Sequence, residues 1–283
     1  MEFWVLQTFN GVSYSALLFL LASGLSLIFG VMRIVNLAHG SFFLLSGYLA
    51  FTVVGRVGFL PAILFALAGV ALVGASMERL FLRRLQKQPL PQVLMTMGFA
   101  LVFQDVALLV WGGDPYTIAA PRALAGSLTT SVGVFPFYRM FLIGVAVAVG
   151  VVLWAFMEKT RLGAILRATV DDDEMAQSVG IRVPRLSTAV FALGAALAGL
   201  GGAVGAVFIG IYPSADFEIL PYAFVVVIVG GLGSVPGAIL GSLVVGLLDN
   251  FGKALFPQLS YFTLFAPMVV VLALRPTGLF GRA

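Results

Sequence analysis

The sequence contains no cysteine, only one histidine and few charged residues. The lack of cysteine excludes a disulfide framework and thiolate metal sites, and one histidine excludes a multi-histidine metal centre. Charged residues make up 10% of the chain, against about 25% in an ordinary soluble domain, so a soluble fold of this size is excluded. The phosphate-binding pattern Gly-x-x-x-x-Gly-Lys-Ser/Thr is absent, since Gly252-Lys253 lacks the upstream glycine. We therefore expect no catalytic residue, metal ligand or cofactor in this chain.

The chain is rich in apolar residues, which make up 61% of the sequence. A membrane-spanning helix needs about 20 mainly apolar residues, and several uncharged runs meet that length. The composition predicts an all-α polytopic membrane protein with about eight to ten transmembrane helices, short broken segments included. The run 219–248 contains Gly230, Gly231, Gly233 and Pro236, so we expect it to split in two. The expected segments are 12–31, 41–55, 59–77, 92–111, 138–156, 186–211, the two halves of 219–248, and 259–274.

The distribution of basic residues predicts the orientation. Twelve of the sixteen Lys and Arg residues fall in connections on one side of the membrane, and four fall on the other. Because cytoplasmic loops carry the excess of Lys and Arg, we expect the richer side, including the C-terminus, to be cytoplasmic and the N-terminus to be outside. The richer set is Arg33, Arg79, Arg83, Arg84, Lys87, Lys159, Arg161, Arg167, Arg182, Arg185, Arg275 and Arg282.

Two interruptions of the apolar pattern are candidates for a transport path. Irregular backbone at membrane depth is tolerated only within protein or beside water, and paired broken segments indicate a substrate path. Plain turns outside the membrane explain the same pattern equally well. The predicted path residues are Asn36, His39, Gly40 and Ser41 in the first break, and Gly231, Gly233, Ser234 and Gly237 in the second.

Two single residues carry alternatives of their own. His39 is either a hydrogen-bonded structural residue or a group that touches substrate or carries a proton. Asp105 lies inside an apolar run, where a carboxylate is costly and must face protein or water.

The loop 158–185 is the most polar stretch of the chain and reads as two short helices. The acidic run Asp171–Glu174 suits a helix N-terminus. Gly180 suits the position just after a helix. Such a helix between two spanning segments either docks a cytosolic partner or is simply a solvated loop.

Several motifs resemble one family, the permease subunits of branched-chain amino acid ABC importers, and within it the smaller of two paralogous membrane subunits. The more specific motifs are Asn-Leu-Ala-His-Gly at 36–40 and Gly-Gly-Leu-Gly-Ser-Val-Pro-Gly-Ala at 230–238. Supporting motifs are Gly-Leu-Ser-Leu-Ile-Phe-Gly at 24–30, Thr-Arg-Leu-Gly at 160–163 and Arg-Pro-Thr-Gly-Leu-Phe-Gly at 275–281.

The resemblance implies one transmembrane permease domain over 1–283, in a bacterial or archaeal inner membrane. It implies a heterodimer with a paralogous permease, two cytosolic ATPase subunits that bind ATP and Mg, and an extracytoplasmic binding protein, with no nucleic acid partner. It places the ATPase coupling helix in 158–185. The residues that the resemblance assigns to coupling are Arg167, Ala168, Glu174, Met175, Ala176 and Gly180.

The expected function is therefore the membrane-spanning subunit of an importer for branched-chain or related amino acids. Relatives of this family also carry urea, short amides and aromatic acids. The alternative is a self-sufficient secondary transporter or channel for a small polar solute, which would need no ATPase.

Overall fold

The computed structural model describes residues 2–86, 88–131 and 133–281, and within them the fold is almost entirely helical. A two-stranded antiparallel hairpin, β1 (Ser127–Thr130) and β2 (Gly133–Pro136), lies between the fourth and fifth helices. The helices are α1 (Glu2–Met32), α2 (His39–Val57), α3 (Phe59–Leu80), α4 (Pro89–Trp111), α5 (Phe137–Lys159), α6 (Arg161–Asp171), α7 (Asp173–Ser178), α8 (Val183–Phe208), α9 (Ala215–Gly230), α10 (Val235–Leu255) and α11 (Ser260–Leu274).

Among the described residues, seven helices are long and apolar enough to cross a membrane: α1 to α5, α8 and α10. Two shorter apolar helices, α9 and α11, complete the segments expected from sequence, and the prediction of an all-α polytopic membrane protein is confirmed. The predicted split of 219–248 is confirmed as well. Gly231 and Gly233 adopt φ values of 103° and 79°, and the Ser234 hydroxyl caps α10 by accepting a hydrogen bond from the Gly237 amide at 3.1 Å.

Burial divides the bundle into a centre and a periphery. Helices α1, α2 and α8 are mostly buried and pack on one another, whereas α3, α4 and α5 expose most of their apolar side chains. Exposed leucine and valine on spanning helices suit contact with lipid. The centre therefore holds the residues that the protein shields from the bilayer.

Small residues set the close approach of the central helices. A Cβ atom on Gly202 of α8 would lie 1.9 Å from the carbonyl oxygen of Phe43 in α2. The Ser46 hydroxyl donates to the Gly199 carbonyl at 2.7 Å across the same contact. Without a hydrophobic drive between helices in lipid, such packing and such hydrogen bonds hold the bundle together.

One end of the bundle gathers the connections expected to be cytoplasmic, and we call it the basic end. Here a Cβ on Gly30, near the end of α1, would lie 2.9 Å from Gly233, before α10. Gly231 packs in the same way against Gly281 in the C-terminal tail. The grouping of these connections at one end agrees with the charge distribution; Lys87 and Arg282 lie outside the described residues.

A buried ion pair ties the end of α3 to the start of α8 at the basic end. The carboxylate of Glu78 is fully buried and accepts hydrogen bonds from Arg83 at 3.0 Å and from Thr188 at 2.6 Å. The Arg83 guanidinium also donates to the Pro184 carbonyl at 2.6 Å. A buried charge must be paired, so Glu78 and Arg83 hold the first turns of α8 against the end of α3.

Candidate translocation path and coupling surface

Helix α2 begins inside the bundle. After α1 ends, the Leu37 amide donates a hydrogen bond to the Thr96 hydroxyl at 3.1 Å. The His39 Nε2 atom lies 2.9 Å from the Leu21 carbonyl oxygen. Leu21 precedes Gly30 by nine residues, which is about 13 Å of helix. The first turn of α2 therefore lies near the middle of a hydrocarbon layer about 30 Å thick.

Helix α9 begins at the same depth and meets α2 there. The Ser41 hydroxyl donates to Oδ2 of Asp216 at 2.8 Å, and a Cβ on Gly40 would lie 2.3 Å from the Asp216 carbonyl oxygen. Asp216 is 2% exposed. Because Ser41 and Asp216 both belong to first turns, the carboxylate lies where the positive ends of two helix dipoles favour negative charge. We call this contact the mid-membrane junction.

The residues predicted in the first break all belong to this junction, and all are buried. Asn36, His39 and Ser41 are 0 to 1% exposed, and the Asn36 side chain accepts from the Ala38 amide at 3.0 Å. Within the described residues, Nδ1 of His39, Nδ2 of Asn36 and Oδ1 of Asp216 are buried without a hydrogen-bond partner. The junction is therefore tightly packed, and its polar groups lie away from solvent.

The residues predicted in the second break lie at the basic end, and only two of them reach open space. Gly233 and Ser234 line a cavity of about 650 Å³. Gly231 and Gly237 are buried in backbone packing against Gly281 and Gly230. The two breaks are therefore not brought together, because the stretch of α1 between Leu21 and Gly30 separates them.

The loop 158–185 forms the two short helices expected from the sequence, α6 and α7. The Asp172 carboxylate caps α7 by accepting from the Glu174 and Met175 amides at 3.0 and 2.9 Å. Gly180 follows the helix with φ of 91°. These are the roles that the acidic run and the glycine predicted.

The six residues predicted to couple to an ATPase divide into an outer and an inner group. Ala168, Glu174, Met175 and Gly180 are exposed, with Met175 at 62%. Ala176 is buried, and the Arg167 guanidinium turns inward to the Met157 carbonyl. The outer group forms a surface, whereas the inner pair anchors that surface to the permease.

The outer surface of α7 also carries an apolar residue that the sequence reading missed. Val179 is 72% exposed, beyond even Met175. We call Glu174, Met175 and Val179 the α7 face. The signal was present in the sequence, since a valine next to a helix-stopping glycine in a polar loop has nothing nearby to pack against.

The family described as "Branched-chain amino acid transport system / permease component" matches residues 7–273. The chain belongs to this family. Its match runs from α1 into α11 and so includes both breaks and the coupling loop.

Curated relatives resemble the chain over nearly its whole length. The high-affinity branched-chain amino acid permease protein BraD of Pseudomonas aeruginosa is 31% identical, covering 98% of this chain and 95% of the relative. The permease protein LivH of Escherichia coli is 27% identical, covering 99% and 96%. The ribose import permease RbsC of Escherichia coli is 26% identical, covering 95% and 84%. The expected family is confirmed.

Asp216 is the site residue that sequence reasoning missed. It stands between two apolar runs and so reads as part of a connecting loop, although it lies within a buried first turn. Acidic residues directly before an apolar helix were the available signal, because helix N-termini favour them. Asp105, in contrast, is exposed on the peripheral helix α4.

Proposed function

We propose that this chain is the membrane-spanning permease subunit of an ATP-binding-cassette importer for branched-chain or related amino acids. The observation that carries the proposal is the family match over 7–273 in a multi-pass bundle that presents the exposed α7 face at its basic end. The relatives named for branched-chain amino acids support the substrate class.

In this proposal the energy comes from other subunits. Two cytosolic ATPase subunits bind ATP and Mg, and one of them docks on the α7 face. A paralogous permease completes the membrane part, and an extracytoplasmic binding protein delivers the substrate. The basic end faces the cytoplasm of a bacterium or archaeon, which is the orientation that the excess of Lys and Arg favours.

Motion would pass from the α7 face through α6 to the end of α1. Helix α6 contacts both α5 and α1, and Arg167 and Asp171 line the same cavity as Gly30 and Gly233. A shift of the coupling helices would therefore change the shape of the cavity that the loop between α9 and α10 also lines. Such rigid-body movement of packed elements is the usual means of alternating access.

The path residues take two roles in the proposal. Gly233 and Ser234 offer backbone and hydroxyl groups at the cytoplasmic opening. The mid-membrane junction, with Asn36, His39, Gly40 and Ser41, acts as the movable joint between α2 and α9, because the first turns of these helices meet there. The supporting observation is that the junction lies at the start of α9, and that the second break follows the end of the same helix.

Co-purification tests the proposal. The chain is tagged, expressed in a membrane with the rest of its transport system, and isolated in mild detergent. We expect it to bring a second permease and two nucleotide-binding subunits. A complex with α7-face variant Met175→Glu should retain fewer nucleotide-binding subunits, because one of their docking surfaces is changed, and should keep the second permease. Isolation of the parental chain alone, active in transport without them, would overturn the proposal in favour of a secondary transporter.

A further inference from the structure

Tyrosines and charged side chains cluster around the first half of α9, away from the basic end. We define the outer cluster as Tyr14 of α1, Tyr212 before α9, Glu218 and Tyr222 of α9, and Lys253 of α10. The Tyr14 and Tyr222 rings lie 5.8 Å apart, edge to face. The Tyr212 hydroxyl joins the cluster through its hydrogen bond to Glu218. None of these residues belongs to either break or to the coupling loop.

The cation of the cluster has a fixed position and one donor to spare. The Lys253 ammonium donates to Asp249 at 2.7 Å and to the Tyr222 hydroxyl at 2.8 Å. It also lies 5.1 Å from the Tyr222 ring centroid and 5.8 Å from that of Tyr14. An ammonium group has three N–H donors. The Lys253 side chain is 42% exposed, while Asp249 is 1% exposed. The third N–H of Lys253 is therefore available to a group that approaches from the exposed side.

The anion of the cluster, Glu218, lies one helical turn from Tyr222, which binds Lys253. Glu218 and Tyr222 are four residues apart on α9 and therefore adjoin on one face. The Tyr212 hydroxyl donates to the Glu218 carboxylate at 2.6 Å, and Glu218 is exposed. Its carboxylate has further lone pairs for a second donor.

The depth of Glu218 in the membrane indicates whether the outer cluster faces lipid, water or protein. Lys253 is two residues from the end of α10, but Glu218 lies only twelve residues before Gly230, the last residue of α9 at the basic end. That is about 18 Å of helix from the basic end, still within a hydrocarbon layer about 30 Å thick. An exposed carboxylate at that depth faces water or protein rather than lipid. The outer cluster therefore borders the aqueous path or the second permease that encloses it.

We propose that the outer cluster is the entry site for the zwitterion of an α-amino acid. Glu218 accepts the substrate ammonium, the free donor of Lys253 binds the substrate carboxylate, and the tyrosine rings form the walls. A cation over tyrosine faces is favourable, and an exposed carboxylate near a lysine with a free donor matches a molecule that carries both charges. A sugar or urea would leave Glu218 without a cationic partner, whereas Lys253 is already paired with Asp249. This inference rests on the proposed function and names the substrate class.

The test uses the complete transporter in proteoliposomes, with L-leucine as the probe. We expect Glu218→Gln to lower maximal ATP-driven L-leucine uptake about tenfold or more, since the amide keeps an acceptor but loses the charge that pairs with the substrate ammonium, with basal ATP hydrolysis unchanged. Asp114→Asn removes an exposed carboxylate outside the cluster and is the matched control; it should leave uptake unchanged. Lys253→Arg keeps the charge beside buried Asp249 and should retain uptake, whereas Lys253→Met should lose it.

The absence of cysteine in the chain permits a charge-rescue experiment. In Glu218→Cys, a methanethiosulfonate reagent bearing a sulfonate should restore part of the uptake, and one bearing an ammonium should not. The parental complex treated in the same way controls for thiols of other subunits. A merely structural role for Glu218 would show no dependence on the sign of the reagent.

Two outcomes would overturn the inference while leaving the proposed function intact. One is parental L-leucine uptake in Glu218→Gln, and the other is equal rescue of Glu218→Cys by the two reagents. ATP-driven uptake of ribose or urea but not of L-leucine by the parental complex would overturn the inference and the amino-acid substrate of the proposed function together. Absence of ATP-driven uptake of all three solutes by a complete complex would instead count against the proposed function.

Discussion

The Ser41 hydroxyl donates a hydrogen bond to Asp216 at 2.8 Å across 175 residues of sequence. The bond joins the first turns of two helices that both begin near the middle of the bundle. Because the partners are a hydroxyl and a buried carboxylate, the contact is stronger than one between neutral groups. It links the first break directly to α9, the helix that ends at the second break.

A double-mutant cycle measures this link. We expect Ser41→Ala and Asp216→Ala each to lower the free energy of unfolding in detergent, with a coupling of about 1.5–3 kcal/mol for a hydrogen bond to a charged group. Ser13→Ala is the control, since its hydroxyl bonds only to the Phe9 carbonyl one turn earlier. Additive effects of the two substitutions would show that the contact contributes nothing.

The buried Glu78 predicts a strong effect of removing its cation. Arg83→Ala should lower the free energy of unfolding by about 3–5 kcal/mol, since breaking a buried pair leaves an uncompensated charge. Arg84→Ala is the matched control, because Arg84 is exposed on the same turn. Equal thermal stability of the two variants in detergent would refute the role given to the ion pair.

The contact between α2 and α8 predicts opposite outcomes for two glycines. Gly202→Ala places a Cβ 1.9 Å from the Phe43 carbonyl oxygen and should prevent a stable bundle. Gly98→Ala meets nothing within 4 Å and should stabilise α4 by about 0.5–1 kcal/mol. Fluorescence-detected size-exclusion chromatography compares the two. A monodisperse Gly202→Ala protein with parental thermal stability would contradict the packing.

The α7 face predicts uncoupling without loss of folding. Glu174→Lys, Met175→Glu and Val179→Glu should leave the thermal stability of the permease unchanged but abolish the stimulation of ATP hydrolysis by substrate and the uptake that depends on it. Ala176→Leu should instead lower stability, because Ala176 is 4% exposed. Parental uptake in all three α7-face variants would remove the coupling assignment.

The sequence predicted the parts of the structure that depend on local chemistry. Glycine and proline between 230 and 236 located the split between α9 and α10, and the acidic run and Gly180 located α7. Apolar length was enough to identify the spanning helices, since the bilayer sets a minimum for each. These signals lie within a few residues of the features they predict.

The mid-membrane junction and the outer cluster could not be predicted in the same way. Ser41 and Asp216 meet only because α2 and α9 both begin inside the bundle, and Lys253 meets Tyr14 through the packing of α10 on α1. No periodicity marks such contacts. The predicted path residues Gly231 and Gly237 lie in close backbone packing, which the sequence did not indicate, because a glycine in a break allows close approach as readily as an opening.

The central claim is that this permease needs partner ATPases, and reconstituted transport tests it most directly. The chain is placed in liposomes alone, with its partner permease, and with the complete set of subunits including binding protein, and L-leucine uptake is measured with ATP inside, without ATP, and under an imposed ion gradient. We predict uptake only in the complete set, only with ATP, and none driven by the gradient. Gradient-driven uptake by the chain alone would contradict the account.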